Sequence, residues 1–126
     1  MMEIKQKIQN FLKGMSVYAE SLAIDARYIS DIFQINEQES LMYLYALEEE
    51  GVLYHSYDVQ DQKTGKMLVQ SKRISDILGH VIHDQKNAMR IDASDISLKF
   101  RLTDRYKRFC IIAYGKDKDR ITKVCS

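Results

Sequence analysis

The stretch from Ile35 to Tyr54, which reads INEQESLMYLYALEEEGVLY, decides the fold of the first half of the chain. Asn36 is a favoured helix N-cap, and Glu39 follows three positions later, which makes a capping-box variant with Asn in place of Ser or Thr. Gly51 supplies the left-handed residue on which many helices end. Because apolar residues recur at helical spacing between these two signals, the stretch predicts a helix over residues 37–50.

Helical patterns precede this stretch and strand patterns follow it. Residues 3–22 carry apolar side chains at three- and four-residue spacing, which predicts an amphipathic helix. Asp25 suits the N-cap of a second, short helix over ARYISDIF, residues 26–33. Downstream, VLYHSYDVQ (52–60) and KMLVQSKRI (66–74) are strand-like runs on either side of DQKTG, which predicts a hairpin.

The order of helix, short helix, tight turn, helix and hairpin resembles the winged helix-turn-helix superfamily. The matching spacing covers Tyr28–Leu53, and the resemblance as a whole, with the preceding helix and the following hairpin, covers about half of the chain. The positions that fill the family's pattern are Ile29, Phe33, Ile35, Asn36, Leu44, Leu47 and Gly51. Two positions depart from it, since Gln34 stands where the family usually has a turn glycine and Ser40 where it usually has an apolar residue. The resemblance implies a DNA-binding protein whose third helix is offered to the major groove.

The second half of the chain predicts one more helix and several strands. ISDILGHVIHDQ, residues 74–85, places its apolar side chains on one helical face. DISLKFRLTD, residues 95–104, alternates apolar and polar residues and predicts a half-buried strand. YKRFCIIAYG (106–115) and RITKVC (120–125) predict two further strands, and NAMRID (87–92) is a candidate for another.

Together these patterns predict an α+β fold, in which an N-terminal winged helix-turn-helix is followed by a helix and a small antiparallel β-sheet. We expect the winged helix over residues 1–73 and the extension over residues 74–126. A helix over 94–109 is the alternative for part of that extension. In the strand pairing, Cys110 would face Cys125 near disulfide reach, but a chain without export signals favours reduced thiols.

Composition and charge set the broad class of the protein. The chain has 126 residues, of which 45% are hydrophobic and 29% charged, as in ordinary globular domains. No apolar run approaches membrane-span length and the N-terminus lacks a signal-peptide core, so we expect a cytoplasmic protein without membrane association. Residues 1–62 carry 4 Lys/Arg against 11 Asp/Glu, and residues 63–126 carry 15 against 7. This asymmetry predicts a charged partner, contact between the halves, or a second copy in a homodimer.

The cations lie downstream of the third helix, so a nucleic-acid interface would be built mainly from the wing and the sheet. No Lys or Arg occurs between Asp31 and Gln62. Cations hold phosphates, whereas hydrogen-bonding side chains at the start of the third helix would read base edges. The expected nucleic-acid-binding residues are Gln38, Met42, Lys63, Lys66, Lys72, Arg73, Lys99 and Arg101.

A protein-interaction module, an adaptor or assembly subunit, is the alternative function. The start of the third helix is acidic, so DNA phosphates would repel it and a basic protein surface would attract it. The basic half of a second copy is one such surface, and tyrosines near the helix are suitable anchors. The expected partner-binding residues are Glu37, Glu39, Met42 and Tyr43.

The sequence favours neither catalysis nor a cofactor. It contains no nucleophile motif and no glycine-rich phosphate loop. His80 and His83 stand three residues apart, a spacing that binds metal when a third ligand comes from elsewhere. Since Val81 and Ile82 mark the buried face of the expected helix, solvated histidines are the favoured interpretation. We therefore expect a non-enzymatic protein with no metal and no cofactor.

Overall fold

The computed structural model describes residues 3–18, 23–84 and 87–109. Its elements are, in chain order, α1 (Ile4–Tyr18), β1 (Ala23–Ile24), α2 (Ala26–Phe33), α3 (Glu37–Glu49), β2 (Leu53–Gln60), β3 (Met67–Ser71), β4 (Val81–Asp84), β5 (Asn87–Arg90) and β6 (Ile96–Leu102). Single 3₁₀ turns precede β4 and β6, and a helical segment follows β6 at residues 104–109. Helices together with antiparallel strands confirm the expected α+β class.

Local hydrogen bonds set both ends of α2. The Asp25 side chain accepts a hydrogen bond from the N–H of Tyr28 at 2.8 Å, which confirms the predicted N-cap. The helix stops at Gln34, whose φ of 55° is left-handed. The next N–H, that of Ile35, donates back to the carbonyl of Ser30 at 3.2 Å. This bond belongs to the Schellman motif, and here the left-handed residue is a glutamine rather than a glycine.

The predicted cap also starts α3. Asn36 accepts a hydrogen bond from the N–H of Glu39 at 2.7 Å, and its side-chain amide donates to the Glu39 carboxylate at 3.3 Å. Ser40 is fully buried, and its hydroxyl donates to the carbonyl of Asn36 at 3.2 Å. Because the helix itself satisfies this hydroxyl, a polar residue is tolerated where an apolar one is usual in the winged-helix pattern.

A Schellman motif ends α3 within one residue of the predicted limit. The N–H of Gly51 donates to the carbonyl of Glu48, and that of Val52 to the carbonyl of Leu47, both at 3.0 Å. Gly51 has a φ of 80°, which glycine adopts without strain. The N–H of Thr103 donates to the Val52 carbonyl at 3.0 Å, and its hydroxyl donates to the Gly51 carbonyl at 2.7 Å. The end of α3 is thereby bonded to the residue that follows β6.

The strands form two sheets. The larger has the order β1-β6-β2-β3, with β1 antiparallel to β6 in the register Ala23↔Arg101. β2 and β3 are antiparallel in the register Asp58↔Gln70, and the register shifts between Val59 and Gln60, where Leu68 is an extra residue on β3. β4 and β5 form a separate antiparallel pair. The predicted hairpin is therefore confirmed as β2–β3, and the predicted alternating strand as β6.

The chain divides into two compact units. Unit 1 comprises the described residues up to Tyr54 and from Phe100 onward, and unit 2 comprises residues 55–99. The buried apolar side chains of unit 1 include Ile8, Leu12, Ile24, Ile29, Leu44, Leu47, Leu53 and Phe100. In unit 2 the core is Val59, Ile77 and Ile91. The boundary expected between residues 73 and 74 falls inside unit 2.

Residues 74–84 do not form the helix that the apolar spacing of residues 74–85 predicts, and residue 85 lies outside the described residues. Ile74–Asp76 make one 3₁₀ turn, Gly79 has a φ of 80°, and β4 follows. The N–H of Gly79 donates to the carbonyl of Ile91 at 2.8 Å, and the N–H of Ile91 donates to the carbonyl of His80 at 2.9 Å. Backbone pairing with a distant segment therefore replaces the bonds between neighbouring turns that a helix requires.

The strand expected over 106–115 is wrong at its start, because residues 104–109 are helical. Thr103 caps this segment. Its hydroxyl accepts a hydrogen bond from the N–H of Tyr106 at 3.2 Å, and its carbonyl accepts one from the N–H of Lys107 at 3.0 Å.

The other expectations for the extension divide three ways. The strand expected over 87–92 is confirmed as β5, whereas the alternative helix over 94–109 is wrong because β6 occupies its first half. The strand expected over 120–125 and the pairing of Cys110 with Cys125 lie outside the described residues.

Candidate nucleic-acid interface

The loop between β2 and β3 is closed by its own hydrogen bonds. The N–H of Asp61 donates to the carbonyl of Lys66 at 2.8 Å, and the N–H of Gly65 donates to the carbonyl of Asp61 at 2.7 Å. The Asp61 carboxylate accepts from the N–H of Lys63 at 2.8 Å, and the Thr64 hydroxyl accepts from the N–H of Lys66 at 3.2 Å. Such bonds between side chain and backbone favour one turn conformation. The loop therefore presents both lysines from a defined backbone.

The segment after β3 carries two more of the predicted cations, Lys72 and Arg73, and both are exposed. The N–H of Arg73 donates to the hydroxyl of Ser71 at 3.2 Å, and that hydroxyl donates to the carboxylate of Asp76 at 3.3 Å. The carbonyl of Lys72 lies 3.2 Å from Nε2 of His55, which is on β2. The backbone beneath these cations is thus held by the neighbouring strand and by the following 3₁₀ turn.

Lys63, Lys66, Lys72 and Arg73, which we call the wing cations, share one environment. All four are exposed, and none forms an ion pair with a residue that the structure describes. Residues 61–73 contain these four cations and one carboxylate, that of Asp61, which is a local net charge of +3. Exposed cations of this kind neutralise phosphates and release the counterions bound to them.

Lys99 and Arg101, the other two predicted phosphate ligands, lie on β6. Both side chains are half-buried, and each already has an interaction partner within the protein. Arg101 also stands opposite Ala23 of β1 in the sheet. A phosphate would have to compete with these existing interactions. The two residues would therefore contribute less to phosphate-binding affinity than the wing cations.

The start of α3 presents acidic and apolar side chains to solvent. Glu37, Gln38 and Glu39 are exposed, Met42 is 58% exposed, and Tyr43 is half-buried. Carboxylates in the first turn of a helix are stabilised by the partial positive charge at its N-terminus. α3 belongs to unit 1 and the wing cations belong to unit 2, so the predicted base-reading residues and the wing cations are carried by different units.

Charge is balanced within each unit, although it is unbalanced between the two halves of the chain. The described residues of unit 1 include 8 Lys/Arg against 9 Asp/Glu, and those of unit 2 include 6 against 6. The acidic residues before position 55 and the basic residues after position 99 belong to the same unit. The case for a charged partner therefore depends on local patches such as the wing cations.

A groove of about 400 Å³ lies in unit 2, and the sequence contains no local signal for it. Leu68, Ile82 and Met89 provide apolar lining, and Asp61, Lys63 and Asp95 provide charged lining. Ile82 comes from β4, within the region for which the apolar spacing predicts a helix, and Met89 comes from β5. The groove thus depends on strand pairing that only the folded chain reveals.

No helix in the described part of the chain has the length and apolarity that crossing a bilayer requires. Within residues 3–18, 23–84 and 87–109, no three His, Cys, Asp or Glu side chains are grouped so that they could hold a metal ion. Comparison with protein-family models, with curated proteins and with solved structures finds no match to this chain.

Proposed function

We propose that this protein is a small winged-helix regulator that binds nucleic acid, holding DNA phosphates mainly through its wing cations. The carrying observation is that these four cations are exposed and lack an ion-pair partner among the described residues. The closed loop beneath two of them limits the conformational entropy that binding would cost. The resemblance of Tyr28–Leu53 to the winged helix-turn-helix superfamily supports the same proposal.

In this proposal affinity and specificity come from different elements. The wing cations neutralise phosphates without reading the sequence. Gln38 can hydrogen-bond to adenine, and Met42, one turn further along the same face, is the nearest apolar group for a thymine methyl. Glu37 and Glu39 would be repelled by the DNA backbone, so α3 adds little affinity. Binding is therefore expected to be strongly salt-dependent and weakly sequence-dependent.

Salt dependence gives the sharpest test, because each neutralised phosphate contributes about −0.9 to the slope of log affinity against log salt. Four contacts predict a slope of about −3.6, which is roughly a 150-fold loss of affinity between 50 and 200 mM salt. The K63Q/K66Q variant keeps two contacts, which predicts a slope of about −1.8 and roughly a 12-fold loss. We would measure both by fluorescence anisotropy of labelled random-sequence duplex DNA.

The matched control is the K7Q/R27Q variant, which removes two exposed cations from α1 and α2 and lowers the net charge equally. We expect it to keep the wild-type slope. Absence of binding at 50 mM salt, or equal slopes for the two double variants, would contradict the proposal. Equal slopes would mean that net charge, rather than the wing, sets the affinity.

One observation favours a second candidate function, protein docking through the start of α3. Met42 is 58% exposed, lies one turn from exposed Gln38 and Glu39, and is adjacent to half-buried Tyr43. An exposed apolar side chain within an acidic surface suits a partner with an apolar centre and a basic rim. A second copy of this chain offers opposite charge in its wing cations, so we propose a homodimer as the simplest form of such docking.

Sedimentation velocity at 50 and 300 mM salt tests this second candidate. We expect association at low salt that weakens in the E37Q/E39Q variant but persists in the E3Q/D31N variant, which removes two exposed carboxylates elsewhere. Mixing an E37K/E39K variant with a K63E/K66E variant should restore association that each lacks alone. A monomer at both salt concentrations would remove the second copy as the partner.

A further inference from the structure

The groove in unit 2 combines an apolar floor with a charged rim. Leu68 and Ile82 are half-buried and Met89 is 39% exposed, so the floor is accessible to a ligand. Its volume of about 400 Å³ lies within the range of small-molecule sites, roughly 300–1,000 Å³. The described residues that line it all belong to unit 2, and a floor of this kind buries the apolar body of a ligand.

Two carboxylates on the rim are held in place by backbone hydrogen bonds. Oδ1 of Asp61 accepts from the N–H of Lys63 at 2.8 Å, and Oδ2 of Asp95 accepts from the N–H of Asp92 at 2.9 Å. In each carboxylate the second oxygen accepts no hydrogen bond from a described residue. Both side chains are half-buried, so a cation that meets them is screened less by solvent than at the open surface.

The net charge of the side chains on the rim decides which class of ligand the groove binds. Asp61 and Asp95 contribute two negative charges, and Lys63 contributes one positive charge. Lys63 is exposed, so water and salt screen it more strongly than they screen the half-buried carboxylates. Among the charged residues that line the groove, the two carboxylates outnumber Lys63, and their two available oxygens can accept charge-assisted hydrogen bonds from an ammonium group.

We propose that this groove is a binding site for a small organic cation, an apolar ring system or chain that carries a primary ammonium group. The apolar body lies on Leu68, Ile82 and Met89, and the ammonium donates to Asp61 and Asp95. The site does not require that the protein bind nucleic acid, so either inference can fail without the other.

Fluorescence titration of the full chain with dansylcadaverine tests the site, because this dye joins an apolar ring system to a primary ammonium. Dansylglycine carries the same ring system with a carboxylate and serves as the matched probe. Because a charge-assisted hydrogen bond is available to the ammonium dye alone, we expect it to bind at least roughly tenfold more tightly than the carboxylate dye.

Single substitutions on the rim and on the floor test whether the dyes bind in this groove. Asp61→Asn and Asp95→Asn keep an oxygen for the backbone N–H but remove the charge, and each should weaken the ammonium dye several-fold without weakening the carboxylate dye. Asp76→Asn removes an exposed carboxylate elsewhere in unit 2 and should change neither. Met89→Ala, on the floor, should weaken both dyes. Equal affinity for the two dyes, no saturable binding, or equal loss in Asp76→Asn and Asp61→Asn would overturn the proposal.

Discussion

Replacing Gln34 by glycine should stabilise the protein, which is unusual for a single substitution. Gln34 follows α2 with a φ of 55° and is the one described residue other than glycine with a positive φ. Its side chain is exposed. The N–H of Ile35 must reach the carbonyl of Ser30 to complete the turn into α3, so the left-handed conformation is required whatever residue stands there.

The magnitude follows from two opposing contributions. A residue with a β-carbon destabilises the left-handed conformation by about 1–2 kcal/mol, and glycine removes this cost. Glycine also gives the unfolded chain more freedom, which opposes folding by about 0.4–1 kcal/mol. Because the exposed glutamine loses little packing, the net gain is about 0.5–1 kcal/mol. For a chain of this size that corresponds to a rise of roughly 2–4 °C in Tm.

Urea denaturation followed by circular dichroism would measure the free energy of unfolding of the wild type, Gln34→Gly and Gln34→Ala. Alanine removes the same side chain but keeps the β-carbon, so we expect it to lie within about 0.5 kcal/mol of the wild type. A gain in glycine alone supports the reasoning. Equal effects of glycine and alanine, or a loss in the glycine variant, would refute it, because the backbone conformation would then not be the source of strain.

Three further changes test features of unit 1. Asn36→Ala removes the N-cap of α3 and should lower the free energy of unfolding by about 1 kcal/mol in urea denaturation, whereas Asn36→Asp, which keeps the acceptor, should not. Phe100→Ala removes a fully buried ring, 5.3 Å from that of Tyr45, and should cost about 3–5 kcal/mol in the same assay. Thr103→Val removes the hydroxyl that donates to the Gly51 carbonyl and accepts from the N–H of Tyr106. This change should lower the free energy of unfolding by about 1–2 kcal/mol and should speed amide hydrogen exchange in the first turn of residues 104–109.

The helix boundaries were predictable because short-range bonds determine them. The side chains of Asp25 and Asn36 each accept a hydrogen bond from the N–H three residues ahead. The N–H of Gly51 donates to the carbonyl of Glu48, three residues before it. Such bonds exist for almost any surrounding fold, so they can be inferred from sequence. The positions of Lys63 and Lys66 were predictable for the same reason, since a hairpin loop places its own side chains in solvent.

The helix expected over residues 74–85 is wrong for residues 74–84, because their apolar spacing fits both a helix and a turn followed by a strand. Ile77 is buried in either arrangement, and the choice is made by the bonds between Gly79, His80 and Ile91. Ile91 lies more than ten residues after Gly79, so local sequence propensity does not predict the hydrogen bonds between them. The groove was missed with it, because Ile82 and Met89 meet only after β4 and β5 pair.

The error at 104–109 has a different cause. The apolar and aromatic content of YKRFCIIAYG favours a strand, but Thr103 and Asp104 precede it in the way that residues commonly start a helix. Thr103, a residue type that favours the N-cap position, is the sequence signal that predicts this helical segment. The half-burial of Lys99 and Arg101 could not be predicted from sequence, because the alternation of polar and apolar residues in β6 does not show which face of the strand other elements cover.

The bonds from Thr103 to Gly51 and Val52 also bear on how the chain folds. They join two points with 50 residues, 53–102, between them, and 55–99 form a compact unit of their own. Closing a flexible loop of that length costs about 3.5 kcal/mol of chain entropy. If unit 2 folds first, its two ends are already constrained. Most of the entropy of loop closure is then lost before the bonds from Thr103 to Gly51 and Val52 form. An interior segment of the sequence would then organise the chain on either side of it, and residues 100–103 would have to be synthesised before the N-terminal helices could complete their core.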